Sequence, residues 1–179
     1  MKNLMIDIET MGNKSFSAIV SIAAVEFDIN TGETGAEFYT KVDLNSCVER
    51  GLKMQADTVL WWMGQSDEAR KEITAESSPH LDKALSNFYD FVSKKEYYIW
   101  GNSARFDLGI LENAFNSVGM PIPWDYWLER DLRTLVAFNE DIKKKWKYEG
   151  TAHNALADCH NQIGYACAIY KSITQNWEK

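Results

Sequence analysis

Cysteine and long hydrophobic runs are scarce in this sequence of 179 residues, and each shortage excludes a class of protein. The three cysteines, Cys47, Cys159 and Cys167, are too few for a disulfide scaffold and lack the paired spacing of a metal-binding motif. No hydrophobic run approaches the roughly 20 residues that a membrane span requires. The first residues also lack the apolar segment of a signal peptide. We therefore expect a cytoplasmic protein, in a reducing compartment and without a membrane partner.

Positive charge is also in short supply, because 19 lysines and arginines face 26 aspartates and glutamates, for a formal net charge of −7. This balance argues against a protein that coats nucleic acid or anionic membranes, since that task needs a broad basic face. It leaves a nuclease open, because divalent metal can reverse the sign of a small acidic site. The sequence lacks a glycine-rich phosphate loop and a Gly-x-Ser-x-Gly motif, so neither a nucleoside triphosphatase nor a serine hydrolase is supported.

The order of predicted elements indicates an α/β fold. With three prolines and no linker rich in proline, glycine or serine, the chain is predicted to form one domain over residues 1–179. Three strand patterns stand within the first 45 residues, and helical periodicity then alternates with one more short strand. The strands are predicted at 3–8, 18–27, 37–42 and 97–100, and the helices at 77–95, 106–118, 132–136 and 154–172. This order predicts a mixed central β-sheet flanked by helices.

Two carboxylates stand side by side near the end of the first predicted strand. Residues i and i+2 of a strand point to the same face, so Asp7 and Glu9 are expected to lie together. Adjacent carboxylates repel each other unless a cation or a shared proton lies between them. Oxygen ligands of this kind suit Mg²⁺ or Mn²⁺ rather than zinc. An exposed acidic pair at a strand end explains the pattern equally well, so this motif alone does not distinguish a metal site from a surface pair.

Two further acids stand in the first turns of predicted helices. Asp107 opens a helix after a short strand, where a helix-capping aspartate is the commoner explanation. Asp158 lies one turn into the last helix, and His153 precedes that helix on a loop. A histidine beside a metal-binding carboxylate can serve as the general base that activates water. The alternative for His153 is a polar residue at a helix start.

Taken together, the three motifs resemble the DEDDh group of the proofreading-type 3′→5′ exonucleases, which have an RNase-H-like fold. The order of the motifs, their separation and their strand or helix context all agree with the pattern of that group. Within it, the chain most resembles compact phage and prophage exonucleases and a related bacterial exoribonuclease group. The Asp57-Thr58-Val59-Leu60-Trp61-Trp62 segment supports that narrower likeness, while Asn102 stands where many members carry histidine. The matching segments are Asp7-Ile8-Glu9-Thr10, Asn102 through Phe106-Asp107, and His153-Asn154-Ala155-Leu156-Ala157-Asp158.

The resemblance implies a two-metal phosphodiesterase that releases nucleoside 5′-monophosphates from the 3′ ends of single-stranded DNA or RNA, or from short oligonucleotides. It implies that His153 and Glu9 are catalytic, with His153 as the base for the attacking water. The ligands of two Mg²⁺ or Mn²⁺ ions would be Asp7, Glu9, Asp107 and Asp158.

The same resemblance predicts contacts to substrate. The backbone of the Thr10-Met11-Gly12 loop would meet the terminal 3′ hydroxyl, with Met11 under the last base. Phe106 fits stacking on a base and packing in the core equally well. The remaining predicted contacts are Asn102, Trp61 and Trp62, and at most one of the two tryptophans is expected to be buried on a helix. The basic segment Lys143–Lys147 contacts the nucleic-acid backbone or forms a solvated loop, and the sequence favours neither.

Two rival functions and one rival metal are weighed against this hypothesis. A catalytically idle nucleic-acid-binding module is disfavoured because all four acids and the histidine are present. A phosphodiesterase of small signalling nucleotides stays open, because no motif excludes it. A zinc site at His153, Cys159 and His160 is disfavoured because no second cysteine pair accompanies them. A homodimer is expected from the resemblance to small exonucleases.

Overall fold

The computed structural model describes residues 2–74 and 77–175. Within these residues, five strands form one mixed sheet: β1 (Asn3–Thr10), β2 (Ile19–Phe27), β3 (Thr34–Lys41), β4 (Tyr98–Gly101) and β5 (Glu129–Asp131). Their spatial order is β3-β2-β1-β4-β5. Strand β2 is antiparallel to both β1 and β3, whereas β4 is parallel to β1 and β5 is parallel to β4. The predicted mixed sheet is therefore confirmed.

The helices cover both faces of this sheet. They are α1 (Leu44–Glu49), α2 (Ala56–Met63), α3 (Asp67–Ile73), α4 (Leu81–Val92), α5 (Ala104–Ser117), α6 (Leu132–Val136), α7 (Glu140–Lys145) and α8 (Ala155–Thr174), with a 3₁₀ turn at Tyr126–Leu128. Within the described ranges, no helix combines the length and hydropathy needed to cross a membrane.

Most predicted elements agree with the structure to within a few residues, and the differences have local causes. The helix predicted from 77 begins at Leu81, because Ser77 has a φ of +96° that no α-helix contains. Helices α1, α3 and α7 and strand β5 were not predicted, and α2 was expected only as a helix of unstated bounds around Trp61 and Trp62. Each has eight residues or fewer, too short for periodicity to be distinctive. The predicted domain bounds include residues 1, 75–76 and 176–179, which lie outside the described residues.

Strand β1 lies at the centre of the sheet and is packed on both faces. Leu4, Ile6 and Ile8 belong to one hydrophobic cluster, which includes buried side chains of α4 and α5. Met5 belongs to a second cluster, which includes the buried face of α8. Because alternate residues of a strand point to opposite faces, residues 7 and 9 follow Met5 onto the side of α8. The hydrophobic alternation of β1 thus directs its two carboxylates toward the helix that carries Asp158.

Candidate active site

The predicted acids meet where β1 and β4 end. These strands are parallel and adjacent, so their carboxyl ends lie at the same edge of the sheet. The pairing of β1 with β2 shifts register between Glu9 and Thr10, which ends regular pairing at the acidic pair. Strand β4 leads directly into α5, whose first turn contains Asp107. Helix α8 begins beside them and holds Asp158 in its own first turn.

Three of the four predicted acids form a compact cluster, in which carboxylate oxygens of Asp7, Glu9 and Asp158 lie within 4.8 Å of one another. Asp107 lines the same cavity, which has a volume of about 330 Å³. The structure thus brings all four acids to one site. Their donor atoms are all carboxylate oxygens, which are the ligands that Mg²⁺ and Mn²⁺ prefer. The residues therefore fit a divalent cation.

Asp107 also makes the helix-capping contact that was weighed against a metal role. Its Oδ2 accepts a hydrogen bond from the backbone N–H of Ser103 (3.1 Å) at the start of α5. The approach of α5 to β4 depends on Gly101, because a Cβ there would lie 3.1 Å from the Cβ of Asp107. The local geometry therefore holds this carboxylate in a fixed orientation, with 3% of the residue exposed.

The protein environment disfavours negative charge on Asp7, Asp107 and Asp158. Burial raises the pKa of Asp7 well above its ordinary value, and the charges of Asp107, Glu9 and Asp158 raise it further. Burial raises the pKa of Asp107 to about 7. The pKa of Asp158 is also raised by burial, although its hydrogen bond with Tyr148 and the nearby His153 act in the opposite direction. A bound divalent cation would relieve this repulsion, which is the electrostatic signature of a metal site.

His153 precedes α8 on a loop, as predicted, and lines the same cavity as the acids. Its backbone adopts a φ of +62°, in the left-handed region that non-glycine residues rarely occupy. The imidazole makes edge contacts with two indoles, at centroid distances of 4.7 Å to Trp61 and 6.1 Å to Trp62. Aromatic packing of this kind fixes the orientation of the imidazole beside the carboxylates.

The two tryptophans of α2 take different places. Trp61 is 45% exposed, whereas Trp62 is 1% exposed and its Nε1 donates to the backbone oxygen of Thr10 (3.0 Å). The expectation that at most one of them is buried is confirmed. The indole of Trp62 is enclosed by protein and supports the end of β1, so of the two tryptophans predicted to contact substrate only Trp61 presents an exposed ring.

The loop Thr10-Met11-Gly12 at the end of β1, which was predicted to contact the terminal 3′ hydroxyl, is buried. Met11 is 4% exposed and packs in the core, while its backbone N–H and C=O bond to Ala18 and Gln55. The Thr10 hydroxyl donates to the Gly12 carbonyl (2.6 Å). The side chain of Met11 thus packs within the core, and its contact with the last base of a substrate stays a prediction.

Asn102 and Phe106 line the active-site cavity and are partly buried. Phe106 also packs against the main core, so both of its proposed environments are present. The lysines of the basic segment have different environments. Lys144 pairs with Glu140 (2.8 Å) at the end of α7, whereas Lys143 lines a second cavity beside the acids.

Three residues of the site were missed by sequence reasoning. Gln162 donates from Nε2 to Asp7 Oδ1 (2.7 Å) and lies one turn beyond Asp158 on α8, a spacing that could have identified it. Arg133 lines the cavity, and its charge partly offsets the rise in the pKa of Asp107 that burial causes. The side chain of Tyr148 hydrogen-bonds with Asp158, and its only signal in the sequence was the basic and aromatic segment that contains it.

Comparison with known proteins gives the family of this chain. A family model described as the 3′-5′ exoribonuclease Rv2179c-like domain matches residues 2–170. The chain belongs to this family. It is a 3′-5′ exonuclease by family, which confirms the predicted resemblance and enzyme class.

Similar proteins include an exodeoxyribonuclease of Enterobacteria phage T4, 26% identical over 91% of this chain and 86% of the phage protein. A solved E. coli exonuclease I in complex with a dA16 oligonucleotide has a TM-score of 0.70 at 18% identity, covering 95% of this chain and 41% of the other. The zinc ion bound form of the E. coli exonuclease I complex with single-stranded DNA has a TM-score of 0.65 at 16% identity. That match covers 100% of this chain and 42% of the exonuclease I chain. This chain thus spans about two fifths of exonuclease I, and that likeness establishes the RNase-H-like fold.

Proposed function

We propose that this protein is a two-metal-dependent exonuclease that shortens single-stranded nucleic acids or short oligonucleotides from the 3′ end and releases nucleoside 5′-monophosphates. The observation that carries the proposal is the cluster of three carboxylates within 4.8 Å, with Asp107 and His153 in the same cavity. Family membership supports the direction of cutting. The oligonucleotide complex of the structurally similar exonuclease I supports a single-stranded substrate.

The charge of the site supports two divalent ions. Four carboxylates in one cavity carry −4 when ionised, and two divalent ions carry +4, so −4 + 4 = 0. With its carboxylates neutralised, the site accepts a phosphate anion that the acids alone would repel. When bound to Asp7, Glu9, Asp107 and Asp158, Mg²⁺ or Mn²⁺ would activate the attacking water and stabilise the leaving 3′ oxygen.

The side chains around the carboxylates have separate tasks in this proposal. His153 accepts the proton of the attacking water, with its orientation held by the edge contact with Trp61. Gln162 orients Asp7 through their hydrogen bond. Arg133, a cation in the same cavity, offers a charge-assisted contact to the substrate phosphate.

The family's name refers to RNA and the phage relative's name to DNA, so both sugars are compared in the test below. Accessible substrate contacts are proposed for Trp61, Asn102 and Phe106. A homodimer and a cytoplasmic location stay predictions.

The test uses DNA and RNA oligonucleotides of matched sequence, labelled at the 5′ end and incubated with Mn²⁺ or Mg²⁺. We expect a ladder that shortens from the 3′ end, release of nucleoside 5′-monophosphates, and no cutting with a chelator or with Asp7→Asn. Cutting of a circular single strand would contradict the proposal. Binding of oligonucleotides without shortening would indicate an idle binding module instead, and cleavage restricted to dinucleotides or cyclic nucleotides would indicate a signalling phosphodiesterase.

A further inference from the structure

A second cavity of about 240 Å³ opens beside the carboxylates. It shares Asn102, Asp158 and Gln162 with the active-site cavity, so the two are continuous. We call it the aromatic cavity, because its remaining lining residues are Lys143, Trp146, Tyr148, Asn161 and Tyr165. A substrate phosphate at the carboxylates would place its neighbouring nucleotides within reach of this space.

Trp146 is held as a fixed wall of the aromatic cavity. Its Nε1 donates to Asn161 Oδ1 (3.2 Å), and its ring makes an edge contact with Tyr165 at a centroid distance of 6.2 Å. A Cβ on Gly164 would lie 2.3 Å from Cζ2 of Trp146. The absence of a side chain at Gly164 therefore allows the indole to lie directly against α8. The residue still exposes 37% of its surface, so a fixed aromatic ring remains accessible to a ligand.

Positive charge accompanies this ring. The ammonium group of Lys143 lies 5.3 Å from the centroid of the Tyr165 ring, and Lys143 lines the same cavity. Proteins that bind single strands combine a cation for the phosphate with an aromatic ring on which a base stacks. Beside four carboxylates, a lysine and a stacking ring suit a nucleotide better than a purely anionic ligand.

We propose that the aromatic cavity is a nucleotide subsite, in which the base of one of the two 3′-terminal nucleotides stacks on Trp146 and Lys143 contacts the adjoining phosphate. This subsite rests on the proposed function, since it assigns a place to the same single-stranded substrate. It recognises any base, because stacking uses the π-face that all bases share.

The test measures the dissociation constant of 5′-fluorescein pentanucleotides by anisotropy with Mn²⁺, with every variant made in a His153→Ala background so that cutting does not distort binding. Trp146→Ala should raise the dissociation constant by roughly 10- to 100-fold, the usual range for one stacked base, and Trp146→Phe should retain most of the affinity. A dissociation constant within about twofold of the parent's in Trp146→Ala would overturn the proposal.

Gly164→Ala tests the same ring without removing it. Its methyl group would displace the indole, so we expect weaker binding even though alanine favours the helix over glycine. Gly109→Ala is the matched control, because a Cβ at this position of α5 meets no atom within 4 Å and binding should be unchanged. Normal affinity in Gly164→Ala with a shifted Trp146 fluorescence spectrum would contradict stacking on this ring.

Abasic oligonucleotides separate stacking from a general effect on the fold. An abasic site at the terminal or the next nucleotide should weaken binding to the parent protein but have little further effect on Trp146→Ala. Equal weakening in both proteins at both positions would show that Trp146 acts only on local structure. A wild-type protein that binds through Trp146 but never shortens oligonucleotides would refute the proposed function and leave the subsite standing.

Discussion

Replacing Asp107 by asparagine is expected to stabilise the metal-free protein at pH 8, although it removes a residue of the site. Burial raises the pKa of this carboxyl to about 7 from its ordinary value of 3.8. Between these two values the folded protein holds more protons than the unfolded chain, so the free energy of unfolding falls as the pH rises. Above pH 7, the native state carries a buried charge that the unfolded chain solvates freely.

The size of the destabilisation follows from the difference between the pKa of Asp107 in the folded protein and in the unfolded chain. About 3 pKa units at 1.36 kcal/mol each correspond to a destabilisation on the order of 4 kcal/mol at pH 8. Asparagine removes the charge and keeps an oxygen that can accept from the Ser103 N–H. For a domain of this size, a gain of this order raises the melting temperature by roughly 10 °C.

The assay is thermal unfolding followed by circular dichroism, with a chelator, at several values between pH 4 and pH 8. The difference between Asp107→Asn and wild type should be largest at pH 8 and nearly absent at pH 4, where wild type is protonated as well. With Mn²⁺ the order should reverse, because only wild type gains the full stabilisation by a bound ligand. Asp125→Asn, at an exposed position, controls for the loss of one negative charge. A variant that melts at or below wild type at pH 8 without metal would refute the electrostatic argument.

Three further predictions concern the metals, the base and the substrate end. Asp7→Asn should abolish the rise in melting temperature with Mn²⁺, and an unchanged rise would show that the carboxylate cluster is not the metal site. His153→Ala should keep that rise but lower turnover by about 10²- to 10⁴-fold, so loss of metal binding in a Mn²⁺ titration would disprove its role as a base. A 3′-phosphate should block digestion in the ladder assay, because the terminal 3′ group is expected to lie against the Thr10-Met11-Gly12 loop, and equal digestion of oligonucleotides with a 3′ hydroxyl and with a 3′-phosphate would count against 3′ recognition.

The sequence by itself determined the features that depend on local periodicity. The alternation along β1 placed residues 7 and 9 on one face, and the start of α8 at Ala155 left His153 on the preceding loop. Both follow from the fixed repeats of strand and helix, which need no knowledge of distant residues. The ordered acidic motifs also indicated the family. The family resemblance in turn predicted that four acids lie in one site, although they stand up to 151 positions apart in the sequence (158 − 7 = 151).

Only the tertiary structure decided which side chains surround those acids. Trp62 is buried beneath the end of β1 while its neighbour Trp61 faces His153, although both occupy the same short helix. The Gln162 bond to Asp7 and the contact of Tyr148 with Asp158 join separate segments. Such contacts depend on how whole elements pack against one another, and packing is set by the combined burial of many residues rather than by any local repeat.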